Sequence, residues 1–226
     1  MNDSSWIVIS LGGSLLYPRE RDEKYSADFA QLVRARAEHF ALITGGGHLA
    51  RIEQEEAKKQ NPNVTPDELD LIGIDATREN AHYMRDVLDD ISEEGIFTDP
   101  TQVALTGARV LVGGGWKPGH SSDAAAVALA KTLGAKKLIN LSNIDYVYTV
   151  DPRTNPDATP IKTIGWTDFR AMLPKEWHPG SNAPFDPIAA QMAQELGMEV
   201  VVMNGKDLGN IQNYLDGKEF TGTVIS

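Results

Sequence analysis

Residues 110–152 read VLVGGGWKPGHSSDAAAVALAKTLGAKKLINLSNIDYVYTVDP, and this stretch decides the fold. An apolar run, Val110 to Val112, ends in Gly113, Gly114 and Gly115, three positions without side chains at which a ligand can approach backbone N–H groups. Trp116, Lys117, Pro118, Gly119 and His120 then lead to Ser121, Ser122 and Asp123, which open an alanine-rich helix from Ala124 to Leu133. Hydroxyls and free amides at a helix N-terminus form an anion site, although a serine there can equally do no more than cap the helix. A buried strand, Lys137 to Leu141, and a turn through Tyr148, Asp151 and Pro152 complete a unit suited to phosphate and nucleotide.

The glycine turn recurs twice upstream. Trp6 to Leu11 ends in Gly12, Gly13 and Ser14, and Phe40 to Thr44 ends in Gly45, Gly46, Gly47 and His48. In an open parallel sheet the turns at the carboxyl ends of the strands face one crevice, so three of them can hold different phosphates of one assembly. That is the expected shape of a phosphoryl-transfer site.

The rest of the chain is consistent with an α/β fold, a three-layer sandwich on a mainly parallel sheet. Strands are expected at Ile7 to Ser10, Ala41 to Thr44, Val110 to Val112, Lys137 to Leu141 and Glu199 to Met203. Helices are expected at Ser26 to His39, His48 to Lys59 and Glu68 to Asp90, with a loop from Gln60 to Pro66. Ile91 to Thr106 reads as a lid or a short extra strand pair. The 226 residues suit one domain, residues 1–226, with an acceptor-side lobe over about 1–108 and the donor-side lobe within 109–226.

Composition excludes several classes. With 21 Lys plus Arg against 32 Asp plus Glu, the net charge of −11 disfavours a nucleic-acid or anionic-membrane surface. The absence of cysteine removes disulfides, thiolate metal sites and cysteine nucleophiles. Met1 to Ser5 is polar and no run approaches a bilayer span, so a cytoplasmic protein is expected. No P-loop, no G-x-G-x-x-G fingerprint, no H-E-x-x-H and no G-x-S-x-G elbow occurs, which leaves a different phosphoryl-transfer scaffold.

The chain resembles the amino-acid kinase family, and within it the archaeal-type uridylate (UMP) kinase branch. The residues that carry the resemblance span nearly the whole chain: Gly12-Gly13-Ser14, Gly45 to Arg51, Asp70 to Ile74, Thr77-Arg78 with Asn80-Ala81, Pro118 to Ala124, Asn143 to Asp145 with Val147 to Thr149, Asp151-Pro152, and Phe185 to Ala190. The resemblance implies ATP-dependent phosphorylation of UMP to UDP, with ATP and Mg2+ as cofactors and a homo-oligomer, hexameric by likeness. No dedicated protein metal site is expected.

It also implies roles. Ser10, Gly12, Gly13, Ser14 and Gly47 would meet the ATP phosphates, with Ser142, Asn143, Tyr148 and Asp151 around the adenine and ribose. Gly46 would face the UMP phosphate, Asp70 its ribose, and Trp116, Lys117, Pro118, Gly119, His120, Ser121 and Ser122 would wrap the nucleotide. Arg51 would supply a guanidinium to phosphate oxygens. Asp186, Arg51 and Lys117 are the expected catalytic residues. Asp186 would hold magnesium or orient cations rather than abstract a proton, while Asp186-Pro187 also reads as a helix cap. Asp70 on its own would read as a cap, Tyr148 as core packing and Asp151-Pro152 as a turn.

The chain departs from the family pattern at two points. Many members carry a first-strand lysine that bridges the donor phosphates; here Ser10 and Leu11 occupy that stretch, and Lys117, Lys162 and Arg51 are the candidate replacements. Tyr146 stands where the Asn-x-Asp-Gly-Val-Tyr pattern has glycine. His48 and His120 invite a metal or acid/base reading against a plain hydrogen-bonding one, and His39, His82 and His178 fall in no constellation. Two alternatives stand beside the kinase: a noncatalytic nucleotide-binding or storage protein, and a relative acting on another small phosphate such as isopentenyl phosphate.

Overall fold

The structure is a computed structural model and describes residues 6–105, 107–174 and 183–226. Met1 to Ser5, Thr106 and His178 lie outside the described residues.

The chain begins with β1 (Trp6–Leu11), the short α1 (Gly13–Leu16), α2 (Glu23–Arg34), β2 (His39–Thr44), α3 (Gly47–Gln60) and α4 (Pro66–Val87). It continues through β3 (Val110–Gly113), α5 (Ser122–Leu133), β4 (Lys137–Ser142), β5 (Val147–Tyr148), β6 (Pro160–Ile161) and β7 (Thr163–Ile164). It ends with α6 (Trp166–Met172), α7 (Pro187–Glu195), β8 (Glu199–Asn204), α8 (Leu208–Leu215) and β9 (Thr223–Ile225). Seven strands form one sheet in the order β3-β2-β1-β4-β8-β9-β7, and β5 and β6 make a separate antiparallel ribbon.

From β3 through β8 every pairing is parallel, so these strands bury both faces and alternate their side chains between two cores. Val8, Leu138 and Val200 pack on the side of α5, α6 and α7, whereas Ile9, Ile139 and Val201 pack on the side of α2, α4 and α8. Seven consecutive residues of α5, Ala124 to Ala130, are buried. Their small side chains let this helix lie close against the sheet.

Two expectations change. The second helix covers Glu23–Arg34 rather than Ser26 to His39. Asp22 caps it by accepting from the Tyr25 N–H at 2.9 Å, and His39 is drawn into β2 opposite Trp6. The segment from Ile91 forms no strand pair among the described residues. It runs along the edge strand through isolated bridges at Ser92–Val110 and Phe97–Gly113, and the Phe97 N–H donates to the Val112 carbonyl at 3.1 Å. Finally α6, α8, β7 and β9 carried too little periodicity in so few residues to be read in advance.

Candidate phosphoryl-transfer site

The order of strands reverses between β1 and β4, and ligands of such sheets bind in the crevice at that reversal. Ser10 and Asn140 lie directly opposite one another there, both buried, two polar side chains in otherwise apolar strands. Both donate to Oδ1 of Asp123, Ser10 Oγ at 2.8 Å and Asn140 Nδ2 at 3.0 Å. The Oδ2 of Asp123 accepts from the Asp186 N–H at 3.2 Å. Burial, reinforced by the neighbouring Asp186 carboxylate, pushes the Asp123 carboxyl up to about 6.

Asp186 does cap α7, as its Pro187 neighbour suggested: Oδ1 accepts from the Ala189 N–H at 2.7 Å. Among the described residues its buried Oδ2 accepts no hydrogen bond of good geometry, the Ser121 hydroxyl being the nearby side-chain donor. Burial raises the Asp186 pKa as well, while the N–H groups of Ala189 and Ile188, Ser121 and His120 favour the charge. A buried carboxylate oxygen without a donor is costly, which marks Asp186 as a candidate ligand-binding group. The sequence reads Asp123 as a helix-opening residue adjoining the loop that would wrap UMP, without a role of its own. Its signal was the pair of polar residues, Ser10 and Asn140, at matching depths of two core strands.

The first two glycine turns are pressed together. A Cβ on Gly13 would sit 2.1 Å from the Gly47 nitrogen, one on Gly45 2.6 Å from the Gly13 nitrogen, and one on Gly12 2.7 Å from the Leu141 carbonyl oxygen. Gly47 also adopts φ +64°, which glycine tolerates best. Asn80, fully buried on α4, donates to the Gly45 carbonyl at 2.9 Å and to that of Gly46 at 3.3 Å, holding the second turn. These turns therefore offer their backbone at the ends of β1 and β2, beside Ser14 at the start of α1.

The third glycine cluster is used differently from the expected ligand approach. The space beside Gly113 is filled by the Phe97 ring, and Gly114 and Gly115 lie against Thr77 and Arg78 of α4. The Gly115 N–H donates to Thr77 Oγ1 at 2.5 Å. Glycine is required here for packing of the strand end on α4.

Beyond it the loop of Trp116 to Ser121 is tied down from α4. Asp70 Oδ2 accepts from the Gly119 N–H at 2.6 Å, and Arg78 Nη2 donates to the Trp116 carbonyl at 3.1 Å. Lys117 Nζ lies 4.0 Å from the centroid of the Trp116 ring, whose other neighbour is His120, edge-on at 4.9 Å. His120 Nδ1 lies 3.3 Å from the Pro118 carbonyl oxygen. Ser121 caps α5 by accepting from the Ala124 N–H at 3.1 Å, and Ser122 begins the helix.

On the other side of the reversal, Ser142, Asn143, Tyr148 and Asp151 line one cavity of about 700 Å³. Its Ser142 end adjoins the first glycine turn, since a Cβ on Gly12 would lie 3.6 Å from Ser142 Cα. Phe169, Met172 and Leu173 supply apolar walls. Asp151 is occupied by Arg153, whose Nη2 lies 2.9 Å from Oδ2, and this pairing holds the Asp151 carboxyl below its ordinary range.

The three candidate cations are dispersed. Arg51 is exposed on α3 with no ion pair or hydrogen bond among the described residues. Lys117 stacks on Trp116, and Lys162 lies in a separate polar groove with Tyr146, Asp207 and Lys218. Among the described residues no group of three or more His, Asp or Glu side chains is placed to hold a metal, which leaves His48 and His120 without metal partners.

Residues 5–204 match the family described as Amino acid kinase family. The chain is 32% identical over 224 residues to a uridylate kinase of Pyrococcus abyssi, covering 97% of this chain and 98% of that protein. It is 34% identical over 224 residues to a uridylate kinase of Methanothermobacter thermautotrophicus, with 97% and 98% covered. Among solved structures it is similar to the uridylate kinase of Archaeoglobus fulgidus, with a TM-score of 0.84, 28% identity, and 97% and 99% of the two chains covered.

Proposed function

Since the chain belongs to the amino-acid kinase family, we propose that it transfers the γ-phosphoryl group of ATP to UMP, giving ADP and UDP. The observation that carries this reading is the carboxylate pair Asp123–Asp186 at the strand reversal, between the tethered loop of Trp116 to Ser121 and the cavity of Ser142 to Arg153. The names of the relatives support UMP as the acceptor.

The acceptor is a phosphate oxygen that is already anionic at neutral pH. One P–O bond forms to it as the bond to the β-phosphate bridging oxygen breaks, so no base need remove a proton. The protein's task is to hold the two nucleotides in line and to balance charge. The cavity would take the adenosine, with Tyr148 beside the base and Asn143 and Asp151 toward the ribose. The interlocked turns of Gly12–Gly13 and Gly46–Gly47 would present backbone N–H groups to the phosphates. Asp70 and the loop it anchors would position UMP, with Lys117 and Arg51 supplying positive charge in place of the first-strand lysine.

Magnesium fits this site as an ion carried on the triphosphate, because Asp186 offers one unpartnered buried oxygen and such ions are held by one or two carboxylates plus phosphates. It would neutralise charge on the moving group. Asp123 would keep Asp186 in place through the N–H it accepts, and Ser10 and Asn140 would fix Asp123.

Self-association belongs to the same proposal. No residue of α3 is buried, and Ile52 and Leu71 project from α3 and α4 with over two-fifths of their surface exposed. This helix pair would be the contact face of a homo-oligomer, which light scattering would measure.

The deciding experiment is an ADP-release assay with magnesium ATP against UMP, CMP, dCMP, AMP, GMP and isopentenyl phosphate, with an acceptor-free blank. Turnover with UMP above the others is the expected result. ATP binding without turnover on any acceptor would return the noncatalytic alternative.

A further inference from the structure

We infer that Tyr146 is a determinant of donor-base affinity and selectivity, forming with Tyr148 an aromatic corner that grips the base of the phosphoryl donor. The inference deepens the proposed function and rests on the reading of the cavity of about 700 Å³ as the donor pocket.

Residues 146, 147 and 148 lead into and form the short strand β5, where alternate side chains share a face. Val147 points inward, almost fully buried, and its N–H donates to Thr223 Oγ1 at 2.8 Å, while β5 pairs with β6 through Tyr148 and Pro160. The strand is thus pinned from β9 and from β6. Tyr146 and Tyr148 both line the cavity.

Their centroids are 6.4 Å apart and their planes stand at 88°. One ring therefore presents its face where the other presents its edge. A planar base entering such a corner can stack on one ring while its rim meets the other, and stacking grows with ring area. Adenine, with two fused rings, gains more than a pyrimidine.

The position holds glycine in the family pattern noted above, yet nothing in the backbone demands one. Among the described residues none other than glycine has a positive φ, so Tyr146 sits without backbone strain. The side chain is therefore an addition to the pocket and not a repair of a turn. It also borders the polar groove of Lys162, Asp207 and Lys218, since it lines both. Removing it leaves the base one ring fewer.

The test is steady-state kinetics of Tyr146→Gly, Tyr146→Leu, Tyr146→Phe and Tyr148→Ala, with ATP and CTP as donors and UMP as acceptor, alongside thermal midpoints. The glycine and leucine variants are expected to raise the KM for ATP about tenfold, the scale of one lost stacking ring, and the KM for CTP by less, so the ATP-over-CTP preference falls by a smaller factor. The KM for UMP should stay within about twofold, since the acceptor is held elsewhere. Tyr146→Phe, which keeps the ring, should behave as the wild type.

An unchanged or lowered KM for ATP in Tyr146→Gly and Tyr146→Leu, with Tyr148→Ala raising it, would overturn the role of Tyr146 and leave the pocket assignment standing. If Tyr148→Ala also left ATP kinetics unchanged, the donor reading of the cavity itself would fall. Equal rises for ATP and UMP would mark a structural effect and count against the inference.

Discussion

The backbone N–H of Asp186 donates to Oδ2 of Asp123 at 3.2 Å, so the residue that caps α7 is held by a carboxylate in the first turn of α5. Two helix N-termini, each with its partial positive charge, thus converge on two acids at the strand reversal. Substitution of either acid should separate catalysis from folding.

Asp186→Asn keeps a good cap, because asparagine serves that position about as well as aspartate, so stability should change by less than about 1 kcal/mol. Turnover should fall about 100-fold or more, the scale seen when one charge-positioning group is lost from a preorganised site. Direct ATP binding and kcat measured on one preparation check this. Unchanged kcat removes Asp186 from the catalytic set.

Asp123 sets a pH dependence. Its carboxyl is pushed up to about 6 from an ordinary 3.8, so between these values the folded protein binds more protons than the unfolded chain. This group's contribution therefore declines as pH rises through that window, and it is most favourable to the fold below it. Asp123→Asn removes the decline: the difference in thermal midpoint, variant minus wild type, should grow from about pH 4 to about pH 7. A flat difference would show that Asp123 ionises normally.

Gly13 in the interlocked turns and Gly95 in an open loop should respond oppositely to substitution. Gly13→Ala places a Cβ 2.1 Å from the Gly47 nitrogen, backbone that cannot step aside, and should cost about 3 kcal/mol or prevent folding. Gly95→Ala meets nothing within 4 Å and should shift stability by less than about 0.5 kcal/mol. Chemical denaturation of the pair measures both.

Asp70 reaches from α4 to the Gly119 N–H at 2.6 Å. Asp70→Ala frees the loop of Trp116 to Ser121 and removes the proposed ribose partner, so the KM for UMP should rise about tenfold or more, with the KM for ATP within about twofold. Equal change in both constants would place Asp70 outside acceptor binding.

The residues that could be read from the chain were those whose physics is local. Glycine triplets after apolar runs, Ser121 before an alanine helix and Asp186 before Pro187 each signal their conformation within a few positions, and the structure has turns or caps at all three. The helix that was expected to continue to His39 stops at Arg34, because pairing with Trp6 outweighs local helix preference.

Sequence alone determined the parallel α/β architecture, through largely apolar runs, and the presence of glycine clusters at the ends of three of them. Only the tertiary structure decided which polar residues meet. Ser10, Asn140, Asp123 and Asp186 span 176 positions, and their contact depends on strand register and on two helix starts arriving at one reversal. It likewise turned Gly113 from a ligand contact into a seat for Phe97, because which neighbour fills an empty Cβ position depends on the fold as a whole.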